Sequence, residues 1–112
     1  MKWLERSTRV DTVSISRELH DFIKYGLVYN VGCDVIIEVN SYIQKGCLKV
    51  HILIEFNLPN KTYYVRDEYS AALDFYDESL LDYSLDGFVS DIKTSITGIT
   101  VSELVNILKN KD

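Results

Sequence analysis

Apolar residues follow a helical period over residues 10–26, VDTVSISRELHDFIKYG. The apolar positions are three and four residues apart and share one face of a helix: Ile15, Leu19, Phe22 and Ile23. Thr12 or Ser14 is suited to cap its start. The preceding MKWLERSTR has no clear period, and we expect its Trp3 and Leu4 to fold back on the core. The pattern predicts a helix as the first element.

The next two segments alternate between apolar and polar residues, which predicts a β-hairpin. DVIIEVNSYI and CLKVHILIEF flank Lys45 and Gly46. With these two residues as the turn, one face has only apolar pairs: Ile43–Leu48, Val39–Ile52, Ile37–Ile54 and Val35–Phe56. The other face is mostly polar and pairs Asn40 with His51. A slip of one residue would mix the faces, so burial favours this register.

A third strand is predicted in KTYYVRDE, after a turn at Pro59 and Asn60. It pairs Tyr63 with Phe56 and continues the apolar face. The three strands form an antiparallel meander with one apolar face and one solvent-exposed face.

The rest of the chain has helical patterns. One apolar stripe, which Ser70 is suited to cap, is spaced by fours and threes: Tyr69, Leu73, Tyr76, Leu80 and Tyr83. A second stretch covers residues 85–96 and ends at Gly98, and a third begins at Thr100, with Glu103 completing a capping box. We therefore predict one compact α+β domain over residues 1–112: an N-terminal helix, a three-stranded antiparallel β-meander, and two to three C-terminal helices packed on one sheet face.

The composition is that of a globular protein, with 46% apolar and 26% charged residues in 112. No apolar run is long enough to cross a bilayer, and no secretory signal is visible. Two cysteines without a disulfide framework fit a reducing compartment. We expect a cytoplasmic protein with no membrane association.

The negative charge lies in one segment. Residues 67–92 contain eight acids and no base, whereas the twelve bases and the other nine acids lie elsewhere, so the rest of the chain has a net charge of +3 and the total is −5. Six acids in this region are candidate partner-binding residues: Asp74, Asp77, Glu78, Asp82, Asp86 and Asp91. Asp74, Glu78, Asp82 and Asp86 are spaced as one i, i+4 row, where like charges destabilise a helix by about 0.2–0.5 kcal/mol per pair. Such a row either keeps a small protein soluble or provides a docking surface for a basic partner.

A calcium loop is the first alternative for this segment. Asp82, Ser84, Asp86 and Gly87 occupy positions one, three, five and six of an EF-hand loop. Position twelve is Lys93, where the loop requires a bidentate glutamate. We predict no metal site and no cofactor.

Catalysis and nucleic-acid binding have weaker support. His51, with Asn40 and Glu68 on neighbouring strands, is the minimum set for general-base chemistry, but no nucleophile or phosphate-binding motif accompanies it. The basic residues near the N-terminus are few and are offset by acids, so direct nucleic-acid binding is not expected.

We therefore predict a small acidic non-enzymatic interaction protein. It would bind, and inhibit, a basic nucleic-acid-handling protein or toxin through the acidic helical segment. The alternative is an assembly subunit or chaperone-like homodimer that uses the Tyr69/Leu73/Tyr76/Leu80/Tyr83 stripe, and the third hypothesis is an enzyme centred on His51.

Overall fold

The computed structural model describes residues 2–6, 9–26, 34–57 and 61–109. Within these ranges the elements are β1 (Leu4–Arg6), β2 (Arg9–Val10), α1 (Thr12–Gly26), β3 (Asp34–Gln44), β4 (Cys47–Asn57), β5 (Thr62–Ala72), a 3-10 turn (Leu73–Phe75) and α2 (Glu78–Lys109). Strands β1 and β2 form a separate short antiparallel pair, and β3, β4 and β5 form an antiparallel sheet in that order. The predicted α+β class and the three-stranded meander are confirmed.

The predicted register of the meander is also confirmed. Ile37 pairs with Ile54 in the first hairpin, and His51 pairs with Glu68 in the second. Lys45 and Gly46 both have positive φ, 51° and 72°, which is the geometry of a type I′ turn. The second predicted turn, at Pro59 and Asn60, lies outside the described residues.

Both helices pack on the apolar face of the sheet. Every second residue of β4, from Leu48 to Phe56, is buried. The helices contribute further residues to the same buried cluster: Ile15, Leu19 and Ile23 from α1, and Leu81, Leu85, Val89, Ile92 and Ile96 from α2. Helix α1 lies against β3, and α2 lies against β5. Neither described helix combines the length and apolar character that a membrane crossing requires.

The N-terminal order differs from the prediction because β1 and β2 precede the helix. Trp3 and Leu4 are both buried in the core, as expected. The cap of α1 is Asp11, whose carboxylate accepts hydrogen bonds from the Ser14 hydroxyl at 2.6 Å and the Ser14 backbone N–H at 3.0 Å. These bonds lower the pKa of Asp11. The prediction that Thr12 or Ser14 caps the helix is therefore wrong.

The C-terminal prediction of two to three helices is wrong, because one continuous helix follows the sheet. Strand β5 extends to Ala72, so Tyr69 lies in the sheet opposite Val50, where it is buried beside Phe88. The Tyr69/Leu73/Tyr76/Leu80/Tyr83 stripe is consequently not one helix face. Gly98 and Thr100 both lie inside α2, so neither ends nor begins a helix.

Candidate partner-binding surface

The N-terminus of α2 is fixed by Asp77. Its Oδ1 accepts the backbone N–H of Leu80 at 2.8 Å, and its carbonyl oxygen accepts the N–H of Leu81 at 2.9 Å. This is N-cap geometry, and Glu78 in the first turn adds a second negative charge near the positive end of the helix dipole. Asp77, a predicted partner-binding residue, therefore has a structural role as a helix cap.

The sequence of α2 places its acids on different sides of the helix. The buried stripe, from Leu81 to Ile96, faces the sheet. Asp82 and Asp86 lie beside this stripe and are partly buried, whereas Asp91 is exposed. Lys93 is on the same flank as Asp82 and Asp86, and its Nζ is 2.7 Å from Glu18 Oε1 of α1. This flank of α2 therefore faces the rest of the protein.

Asp82 holds the N-terminal segment. Its Oδ1 accepts the backbone N–H groups of Trp3 at 2.7 Å and Leu4 at 2.9 Å, and its Oδ2 accepts the N–H of Lys2 at 3.1 Å. Burial opposes ionisation of this carboxyl, but the three N–H donors outweigh it and lower the pKa of Asp82. The carboxylate thus satisfies backbone donors that would otherwise be left at the edge of the core.

Asp86 supports the same segment one helical turn later. Its Oδ1 accepts the indole Nε1–H of Trp3 at 3.0 Å and lies 3.3 Å from Lys2 Nζ. Asp82 and Asp86 together fix both the backbone and the side chain of Trp3. Two of the six predicted partner-binding acids therefore have intramolecular partners, which reduces the charge that they present to a second molecule.

Several exposed apolar side chains lie where the sheet leads into α2. Phe75 is 82% exposed and Tyr83 is 80% exposed. Leu80 and Tyr76 are exposed by 51% and 40%. We define the α2 entry patch as these four side chains with the two exposed acids beside them in the sequence: Asp74, Phe75, Tyr76, Glu78, Leu80 and Tyr83. Sequence reasoning identified the acids but missed Phe75, which falls outside the predicted apolar stripe.

The outer face of the sheet has a second polar group of residues. The Tyr42 hydroxyl is 2.9 Å from His51 Nε2, and Glu68 Oε1 is 3.5 Å from the same nitrogen. Lys49 Nζ also lies 3.5 Å from Glu68 Oε1. The predicted proximity of His51 and Glu68 is therefore present, on a face that neither described helix covers.

The chain matches no protein-family model, no curated protein and no solved structure at a significant level.

Calcium is expected to leave the melting temperature unchanged. Residues 82–93 are helical throughout, so their carboxylates cannot wrap around one ion as an EF-hand loop does. We would compare thermal unfolding in a chelator with unfolding at about 1 mM calcium, the weak end of the affinity range of such loops. A melting temperature that rises with calcium concentration would show that a site exists.

Proposed function

We propose that the protein is a small non-enzymatic interaction protein that binds a basic protein surface through the α2 entry patch. The observation that supports this proposal is that exposed aromatic side chains and exposed acids occur together in residues 74–83. Phe75 and Tyr83 are each at least 80% exposed, and they lie within the 67–92 segment, which has eight acids and no base.

The apolar members of the patch are suited to supply binding energy. Aromatic side chains at the centre of an interface dominate binding when a partner excludes water from them. Phe75 and Tyr83 have large exposed rings on a segment whose backbone is fixed by the Asp77 cap. Ordering these rings on binding therefore costs less conformational entropy than ordering a flexible loop would.

The acidic members favour a basic partner. Asp74 and Glu78 are exposed and lie one and three residues from Phe75 in the sequence, and Asp91 is exposed further along α2. Charges at the rim of an interface increase the association rate with an oppositely charged partner and exclude like-charged ones. All six predicted acids remain candidates, but Asp77, Asp82 and Asp86 also have internal roles. We therefore propose Asp74 and Glu78 of the patch for the contact, with Asp91 at its margin.

The class of partner follows from this charge. Basic surfaces on proteins commonly bind nucleic acid or other anions. A small acidic protein that covers such a surface blocks access to it, so we infer that binding inhibits a nucleic-acid-handling protein or a toxin. The role of the protein in this proposal is steric and electrostatic, with no chemical step.

The test uses two patch variants and two matched controls. Phe75→Ala/Tyr83→Ala removes the rings, and Asp74→Lys/Glu78→Lys reverses the exposed charge while leaving the Asp77 cap intact. Tyr64→Ala removes an exposed ring from the outer sheet face, and His51→Ala removes the imidazole there. The unaltered protein would first be used to capture and identify the partner. The partner would then be purified and titrated with the unaltered protein and each of the four variants.

Each patch variant is expected to weaken binding at least about tenfold, and each control is expected to change it less than about threefold. Association of the unaltered protein should also slow as salt rises, because screening acts over about 8–10 Å. Unchanged affinity in both patch variants, or a partner whose contact surface is acidic, would contradict the proposal. A large loss of affinity in His51→Ala would show that the partner binds the outer face of the sheet instead.

A further inference from the structure

We propose that the exposed edge of β3 pairs with β3 of a second copy of the chain, so that two sheets join into one continuous six-stranded sheet. This inference is independent of the α2 entry patch, and it uses a different surface from the tyrosine stripe of the sequence-based homodimer. It depends on the outward-directed backbone groups of residues 35–43 of β3, on the difference between the two sheet edges, and on the self-complementarity of β3.

The backbone of β3 has hydrogen-bonding groups directed away from the sheet. In a two-residue hairpin the residues that flank the turn, here Gln44 and Cys47, form a hydrogen-bonded pair. The even-numbered residues of β3 therefore bond to β4, and the odd-numbered residues from Val35 to Ile43 direct their N–H and C=O groups outward. Within residues 2–6, 9–26, 34–57 and 61–109, no strand pairs with β3 on that side.

The two edges of the sheet differ in their protection. On β5, Asp67 pairs with Ile52 and thus points to the core side of the sheet, which is a common device against edge-to-edge association. The core-side residues of β3 are uncharged: Val35, Ile37, Val39, Ser41 and Ile43. Strand β3 also has no proline and keeps an unbroken register with β4 over its whole length. Of the two edges of the three-stranded sheet, as far as the described residues show, the β3 edge lacks such protection.

Space for a second strand is present beside β3. A groove of about 650 Å³ lies between α1 and β3, with Val13 and Arg17 on the helix side and Ile37 and Val39 on the strand side. Several exposed apolar residues lie along this edge: Val13 (64%), Ile36 (52%), Tyr42 (42%) and Ile43 (53%). Helix α1 therefore packs on the sheet without covering the edge.

The sequence of β3 is complementary to itself in one antiparallel register. A twofold axis at Val39 places Ile37 opposite Ser41 and Val35 opposite Ile43 of the second copy. These four residues are odd-numbered, so their N–H and C=O groups point outward and can bond across the axis. On the outer face, the same register places Ile36 opposite Tyr42, which covers two exposed apolar side chains. Glu38 then faces Asn40, so no like charges meet, whereas an axis one residue earlier would place Glu38 opposite Glu38. This self-complementarity identifies a second copy as the occupant.

The test uses the Glu38–Asn40 pair, because both side chains are exposed on the outer face. Asn40→Glu places like charges opposite each other twice across the twofold axis, and Asn40→Lys places a base opposite Glu38 at the same position. Adding Glu38→Lys to Asn40→Glu restores opposite charges. Ser70→Glu, on the outer face of β5 opposite Lys49, is the matched control away from the interface.

Sedimentation velocity over about 1–500 μM is expected to show a monomer–dimer equilibrium in the unaltered protein. Asn40→Glu should raise the dimer dissociation constant by roughly three- to thirtyfold, and the Glu38→Lys/Asn40→Glu double variant should return it close to the original value. Asn40→Lys and Ser70→Glu should retain the dimer. A monomer throughout this range would overturn the inference, and so would a dimer on which Asn40→Glu and Asn40→Lys act equally.

Discussion

Ile54→Ala is expected to reduce the free energy of unfolding by about 2–5 kcal/mol. Ile54 is completely buried in the central strand, between Ile37 of β3 and Val65 of β5, and both helices close the core over the same face. Removing three methyl or methylene carbons there leaves a cavity that the long, regular β4 cannot collapse. Denaturant unfolding, monitored by circular dichroism, would measure the loss.

Ile36→Ala is the matched control for this prediction. It makes the same chemical change one strand away, at a side chain that is 52% exposed on the outer face. We expect it to cost less than about 1 kcal/mol, because little transfer free energy is lost and no closed cavity forms. A loss below about 0.5 kcal/mol for Ile54→Ala would mean that the apolar face of the sheet is not the buried one.

The sheet was predictable because two independent constraints agree on its register. The alternation of apolar residues in β3 and β4 requires one face to be buried, and Gly46 permits the positive φ of a two-residue turn. Either constraint alone leaves another register open. Together they determined the pairing of Ile37 with Ile54 and, through β4, the position of the third strand.

The transition from β5 to α2 was not predicted because two periods coincide there. Tyr69, Leu73 and Tyr76 fit a helical spacing, but Tyr69 also continues the odd-numbered strand pattern of Tyr63 and Val65. The length of β4 was the available signal: since β4 begins at Cys47, a full-length antiparallel partner must extend to Ala72. Gly98 does not end α2, because a single glycine costs a helix only about 1 kcal/mol and a long helix tolerates it.

The acidic segment was identified as a site from its charge, but charge alone cannot distinguish acids that face solvent from acids that bind the chain itself. Asp82 and Asp86 contact residues about 80 positions away in the sequence, and no local pattern reports such contacts. The cap at Asp77 had a local signal, because Asp77 directly precedes the acidic first turn and the buried residues that begin with Leu81. The exposed rings of Phe75 and Tyr83 became evident only when the helix boundary was known.

Asp82→Ala is expected to release the N-terminal segment and to destabilise the protein by about 2–4 kcal/mol. The substitution removes the acceptor of three backbone N–H groups, those of Lys2, Trp3 and Leu4. These donors must then remain unsatisfied at the edge of the core or move into water, and moving them exposes the buried side chains of Trp3 and Leu4. Trp3 is the only tryptophan in the chain, so its fluorescence emission should shift to longer wavelength as it becomes solvated.

Asp91→Ala is the matched control, because Asp91 is exposed on the same helix. It should leave the emission maximum unchanged, and it should change the free energy of unfolding by less than about 0.5 kcal/mol.

The effect of Asp82→Ala should also depend on pH with a defined sign. The folded-state pKa of Asp82 is lowered from 3.8, so its contribution is complete well above that value and is lost as the pH falls through the lower, folded-state pKa. The difference in unfolding free energy between the unaltered protein and Asp82→Ala should therefore be constant above about pH 5 and should shrink on further acidification. A difference that grows towards low pH, or an unshifted Trp3 emission in Asp82→Ala, would show that the carboxylate does not anchor the segment.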